Sequence, residues 1–143
     1  MKQEEKELLL KDLCARLPYG VKVLYNGWDS DRDCEFSTVE TLIGIDDRFI
    51  YTLWRGEKDK HSIEEPLSIT NYKPFLRPMS SMTEEERKIH NGHRLSKWST
   101  YSEHMSETID WLNKNHFDYR GLIPMGLAIE VTEKNNPYKK LNL

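Results

Sequence analysis

Two prolines four residues apart, followed at once by a helix start, constrain this chain more than any other feature. The stretch from Lys73 to His90 reads KPFLRPMSSMTEEERKIH. Pro74 and Pro78 fix their own φ and push Lys73 and Arg77 toward extended backbone, so no helix can run through them. Thr83 with Glu86 three residues on forms a capping box, and Ser81 with Glu84 offers an earlier register. Glu84, Glu85 and Glu86 put negative charge at the positive end of the helix dipole, with Arg87, Lys88 and His90 toward the other end. Asn91 and Gly92 supply the expected stop. So short a helix is marginal alone, and Phe75, Leu76, Met79, Met82 and Ile89 are the side chains available to hold it by packing.

Upstream of this stretch the chain reads mostly as strand. Leu10, Leu13, Cys14 and Leu17 recur at i, i+3, i+4 and i+7, with Leu9 alongside, which predicts an amphipathic first helix ended by Pro18 and places Cys14 in the core. A strand is expected over Val21 to Tyr25, turned by Asn26-Gly27, with an acidic loop from Asp29 to Glu35. Phe36 to Ile45 and Phe49 to Trp54 are rich in β-branched and aromatic residues, and Asp46-Asp47-Arg48 can close a hairpin between them. Arg55 to His61 reads as a charged loop, and Leu67 to Tyr72 as a strand feeding the proline-flanked run.

Downstream, an irregular stretch to about Thr100 has Leu95 and Trp98 as candidate anchors. A second helix follows, capped by Thr100 with Glu103. Its apolar stripe includes Tyr101, Met105, Ile109 and Leu112, widened by Trp111. Leu127 to Val131 can add an edge strand or simply plug the core, and residues 132 to 143 read as a loose tail. The fold class expected is α+β: a small antiparallel sheet of three to four strands, one face buried, with an N-terminal helix and two C-terminal helices. At 143 residues, 37% hydrophobic, the chain fits a single domain with residues 1 to 131 as its core.

Charge is uneven along the chain. Residues 1 to 72 carry 10 basic against 15 acidic side chains, and residues 73 to 143 carry 11 against 9. The net charge of −3 lacks the basic stripe that phosphate binding needs, so nucleic acid is not the expected partner. No apolar run reaches membrane-spanning length and no signal-peptide core follows the charged N-terminus, so the reading is cytoplasmic, with no membrane partner. Cys14 and Cys34 form no CxxC pair and read as free thiols.

Three blocks, LPYGVKV at 17 to 23, KPFLRPMSSMT at 73 to 83 and HFDYRGLIPMGLAIEV at 116 to 131, together carry a resemblance. They are similar to a family of small uncharacterised proteins of Bacteroidetes bacteria and of their phages and prophages. The resemblance spans most of the chain in order. It implies a cytoplasmic bacterial or phage-derived product whose three blocks meet in space, and it brings no reaction, cofactor or catalytic residue with it.

Candidate chemistry is sparse. His116, Asp118 and Arg120 alternate, so an extended backbone would aim all three one way for acid/base work on an anionic substrate; the structural alternative has them serving backbone groups and a carboxylate. His90, His93, His104, His116 and Asp118 invite a metal, but no HExxH or cysteine pair supports one, and no metal site is assigned. Asp29, Asp31 and Asp33 start like a calcium loop without its glycine or closing glutamate. Cys34 beside Glu35 lacks a nucleophile motif, and no phosphate loop is present. No cofactor is expected. Lys73, Phe75 and Arg77, on the proline-stiffened run, are the candidate binding residues, because a preset extended segment loses little entropy on docking; the alternative is a buried crossover. The function expected is a small non-enzymatic binding or adaptor protein with a protein partner. The alternatives are a small hydrolase or metal-dependent enzyme using His116 and Asp118, and more weakly a nucleic-acid accessory protein.

Overall fold

In a computed structural model the chain runs α1 (Gln3–Arg16), β1 (Lys22–Asp29), β2 (Cys34–Ile45), β3 (Phe49–Trp54), β4 (Glu57–Ser62), β5 (Tyr72–Leu76), α2 (Glu84–Leu95), α3 (Tyr101–Lys114) and β6 (Ile129–Glu130). The structure describes residues 2–64, 68–95 and 101–139, with backbone alone for 93–95 and 101–104. The expected anchors Leu95 and Trp98, the Thr100–Glu103 cap, and the side chains of His93 and His104 lie outside what is described.

The class is α+β, but the sheet has six strands in the order β4-β3-β2-β1-β5-β6, not three or four. All neighbours are antiparallel except β5 and β6. The proline-flanked run is an inner strand of this sheet. Pro74 lies opposite Val23, Phe75 pairs with Ile129, and Arg77 bridges to Phe117. Blocks 17–23, 73–83 and 116–131 therefore meet along β5.

β4 replaces the expected charged loop. Arg55 at φ 50° and Gly56 at φ 81° make a two-residue turn with both residues left-handed, the form that matches the twist of paired strands. The sequence Glu-Lys-Asp-Lys-His-Ser alternates lysines on one face with Asp59 and His61 on the other, so neither face has an apolar period to read. Asn26-Gly27 does not turn. β1 continues to Asp29, with Gly27 opposite Phe36, and the hairpin closes beyond it where Asp33 takes φ 50°. A Cβ on Gly27 would stand 2.6 Å from the Phe36 ring, so glycine is there for close approach. The expected hairpin at Asp46 forms, and the Asp46 carboxylate accepts from the N–H of Arg48 (2.8 Å) and of Phe49 (2.7 Å). Ile69 to Asn71 form a short 3-10 turn before β5 where a strand was expected.

One sheet face is buried. Leu9 and Leu13 of α1 pack with Val21, Val23, Leu42, Ile50, Tyr72 and Leu76. The buried stripe of α1 is Leu9, Asp12, Leu13 and Arg16, and Cys14 is exposed. The helix is rotated from the expected stripe because an ion pair occupies two of its inward positions. α2 begins at the capping box: Glu86 N–H donates to the Thr83 hydroxyl (3.1 Å) and Thr83 N–H to the Glu86 carboxylate (3.0 Å). It runs through Asn91 and Gly92, so these do not end it. Met82, Leu112 and Phe117 form a second small core under α2 and α3. The opposite sheet face leaves Trp28, Val39 and Ile43 exposed. Residues 132–139 are not loose. The Tyr138 hydroxyl donates to the Phe75 carbonyl (2.7 Å) and accepts from Lys22 N–H (3.1 Å), which fixes the segment across β1 and β5. No helix among the described residues is long and apolar enough to cross a membrane.

Candidate functional site

The alternation of His116, Asp118 and Arg120 does not produce a common direction, because His116 sits at φ 63° and breaks the extended backbone that alternation requires. Each side chain goes elsewhere. His116 stacks on Tyr138 with ring centres 3.7 Å apart. Burial, and then the charges of Arg16 and Arg77, push its imidazole down to about 4, so it is neutral at pH 7. The Asp118 carboxylate accepts from the N–H of Leu122 (2.8 Å) and of Ile123 (2.9 Å), closing a turn. Arg120 donates to Asp12 at 2.9 Å, the same carboxylate that holds the buried Arg16 at 2.8 Å.

The proline-run trio also separates. Phe75 is 5% exposed, on the same outer face as Lys73, where it borders Val39 and residues 134–137. Arg77 makes a two-pronged pair with Glu86, at 2.8 and 2.6 Å, over the Phe117 ring. That pairing holds the Glu86 carboxyl down to about 2. Lys73, opposite Leu24, is partly buried on the outer sheet face. Asp29 is spent on its own turn, accepting from Asp31 N–H (3.0 Å) and Arg32 N–H (3.2 Å). Among the described residues no three His, Cys, Asp or Glu side chains are grouped to hold a metal ion.

A well-formed concavity lies elsewhere, at the far end of β1. β1 pairs with β2 over all eight of its residues but with β5 only from Val23 to Tyr25. Past Tyr25, the edge of Asn26 to Asp29 on the β5 side has no strand partner among the described residues. A cleft of about 550 Å³ opens along that edge. Its walls include the rings of Tyr25, Trp28 and Phe36, the Glu35 carboxylate, and the polar side chains of Asn26, Ser37 and Asn71. Trp28 is 57% exposed.

The strand period assigns these groups to two faces. Tyr25 and Phe36 lie on the inner face on either side of Gly27, their rings edge to face at 5.8 Å. Trp28 and Glu35 are opposite each other on the outer face. Tyr25 is held rigidly from behind, stacked on His61 at 4.5 Å and on Tyr72 at 4.9 Å. Further in, the buried Glu40 carboxylate accepts from the hydroxyls of Thr38 and Thr52. Burial, then the charges of Glu40 and Asp59, raise the Tyr25 phenol.

Sequence reasoning missed this constellation. Asn26-Gly27 read as a turn, which ended β1 before Trp28 and concealed the pairing that brings Glu35 and Phe36 to it. Fold and cleft together define a small α+β domain with a ligand-sized recess at a strand edge that is unpaired among the described residues. Comparison with family models, with curated proteins and with solved structures finds no match for this chain.

Proposed function

We propose that this chain is a non-enzymatic binding module that captures an extended segment of a partner protein by adding it to the sheet beside Asn26 to Asp29. One observation carries the reading: β1 outruns β5 by four residues, over a cleft, on the side where the next strand would lie. An added strand satisfies edge backbone groups through main-chain hydrogen bonds, while alternate side chains enter pockets on the two faces. Four residues of edge span roughly 13 Å, so affinity has to come from the pockets as well as the ladder. The resemblance to proteins of Bacteroidetes and their phages makes a host or phage protein in the cytoplasm the natural partner.

The enzyme alternative built on His116 and Asp118 has less to support it, since both side chains are engaged structurally. A nucleic-acid role has less still, because among the described residues the cleft carries a carboxylate and no cation. The test is selection of binders from a random-peptide display library, followed by hydrogen exchange on each complex. Selected peptides are expected to protect the amides of Asn26 to Asp29. Recovery of no binder, or protection confined to other segments, overturns the reading.

A further inference from the structure

We infer that the captured segment alternates apolar and cationic side chains, with a cation lying over Trp28 and reaching toward Glu35 and an apolar neighbour against Tyr25 and Phe36. The inference rests on the strand-addition reading and names the chemistry of its ligand. A peptide added beside β1 sends successive side chains to opposite sheet faces. On the inner face one of them meets Tyr25 and Phe36, which offer ring surface and no charge. On the outer face the next meets an exposed indole and, directly across the strand pair, a carboxylate.

An indole face beside a carboxylate suits an organic cation. The ring quadrupole attracts the charge and the carboxylate completes it, while the stem of a lysine or arginine packs on the ring. The surroundings have the same sign. Asp29, Asp31 and Asp33 stand on the hairpin that rims the cleft, against one basic residue there, the exposed Arg32, already 3.9 Å from Asp29. Among the described residues no lysine or arginine lines the cleft. An acidic peptide or a phosphate backbone would enter against this charge, whereas a basic segment is drawn in and suffers as salt is added.

The probe is the blocked pentapeptide Ser-Val-Lys-Val-Ser, titrated by NMR against the wild-type chain while the Trp28 indole and the amides of Asn26 to Asp29 are followed. Replacing its lysine by norleucine should weaken binding about fivefold to tenfold, by glutamate more, and Trp28→Ala or Glu35→Gln in the protein should each cost a few fold. Arginine and trimethyl-lysine versions rank the cation. Both protein substitutions are at exposed positions, and unchanged melting temperatures check the fold. Equal binding of the lysine and norleucine peptides, with the amides still perturbed, overturns the cation inference and leaves strand addition standing. If blocked single-residue lysine binds as well as the pentapeptide, with no change at those amides, strand addition fails instead.

Discussion

Tyr72 is almost wholly buried, and its hydroxyl has no hydrogen-bond partner among the described residues. Burial, then the charges of Tyr25, Glu40 and Asp59, raise this phenol far above its ordinary range, so it stays protonated. A buried hydroxyl without a partner costs its desolvation, so Tyr72→Phe is expected to leave stability unchanged or raise it by about 1 kcal/mol, measured by urea unfolding. A loss larger than that would mean the hydroxyl is satisfied. His116 makes a pH prediction. Its folded value of about 4 lies below the ordinary 6.5, so between those limits the unfolded chain binds a proton that the folded chain refuses. Stability from His116 is intact above pH 6.5 and falls away as pH drops toward 4. Glu86, held down to about 2 from 4.5, adds a second loss below pH 4.5. His116→Asn keeps a residue tolerant of positive φ and removes the first window, so the slope of unfolding free energy between pH 6.5 and 4.5 should flatten. An unchanged slope would place the acid sensitivity elsewhere.

At the scale of elements, what the sequence made legible follows from whether local chemistry alone decides. The Thr83–Glu86 box and the Asp46 turn are set by residues within three positions, and both stand where the sequence put them. β4 was illegible because its exposed lysines alternate with Asp59, also exposed, and with His61, which stacks on Tyr25, leaving no hydrophobic alternation; charged edge strands of this kind also discourage sheet-to-sheet aggregation. The face of α1 was misread because Asp12 and Arg16, in periodicity two polar residues, occupy core positions through a pairing with partners about a hundred residues away. The candidate site failed for a related reason: one strong dipeptide signal, Asn-Gly, was overridden by pairing with β2. Two variants examine this scale. Thr83→Ala should cost about 1 kcal/mol of stability, read from urea midpoints, because it removes the α2 cap. Gly27→Ala is expected to swing the Phe36 ring out of its place, since the new Cβ collides with the mobile end of that side chain. It should perturb Phe36 and Tyr25 resonances strongly and stability modestly, and the second change Phe36→Ala should relieve the first. Unaltered Phe36 resonances in Gly27→Ala would show that β1 and β2 are spaced more widely than described.

Across the whole molecule, the first helix and the last hundred residues are closed on each other by charge as much as by packing. Arg16, fully buried, donates to Asp12 at 2.8 Å and to the Phe117 carbonyl at 2.6 Å, while Arg120 reaches the other Asp12 oxygen at 2.9 Å. Asp12 thus neutralises two guanidinium groups from opposite ends of the chain, and one further nitrogen of Arg16 is already without a partner among the described residues. Removing the carboxylate leaves a buried cation uncompensated, a loss of about 3–5 kcal/mol. That is a large share of the roughly 5–15 kcal/mol available to a domain of this size. Asp12→Ala should therefore lower the melting temperature steeply and loosen the segment around Phe117, seen as faster exchange of its amides. The pair Asp12→Leu with Arg16→Met separates two explanations. If the ion pair is needed only because each charge needs the other, the double variant recovers most of the lost stability, as well-packed apolar replacements of buried pairs do. If the carbonyl of Phe117 depends on Arg16 to hold the 116–118 bridge onto β5, the double variant melts higher than Asp12→Ala yet still exchanges rapidly at Phe117 and Asp118. A cost below about 1 kcal/mol for Asp12→Ala would show that the helix is held by Leu9 and Leu13 alone.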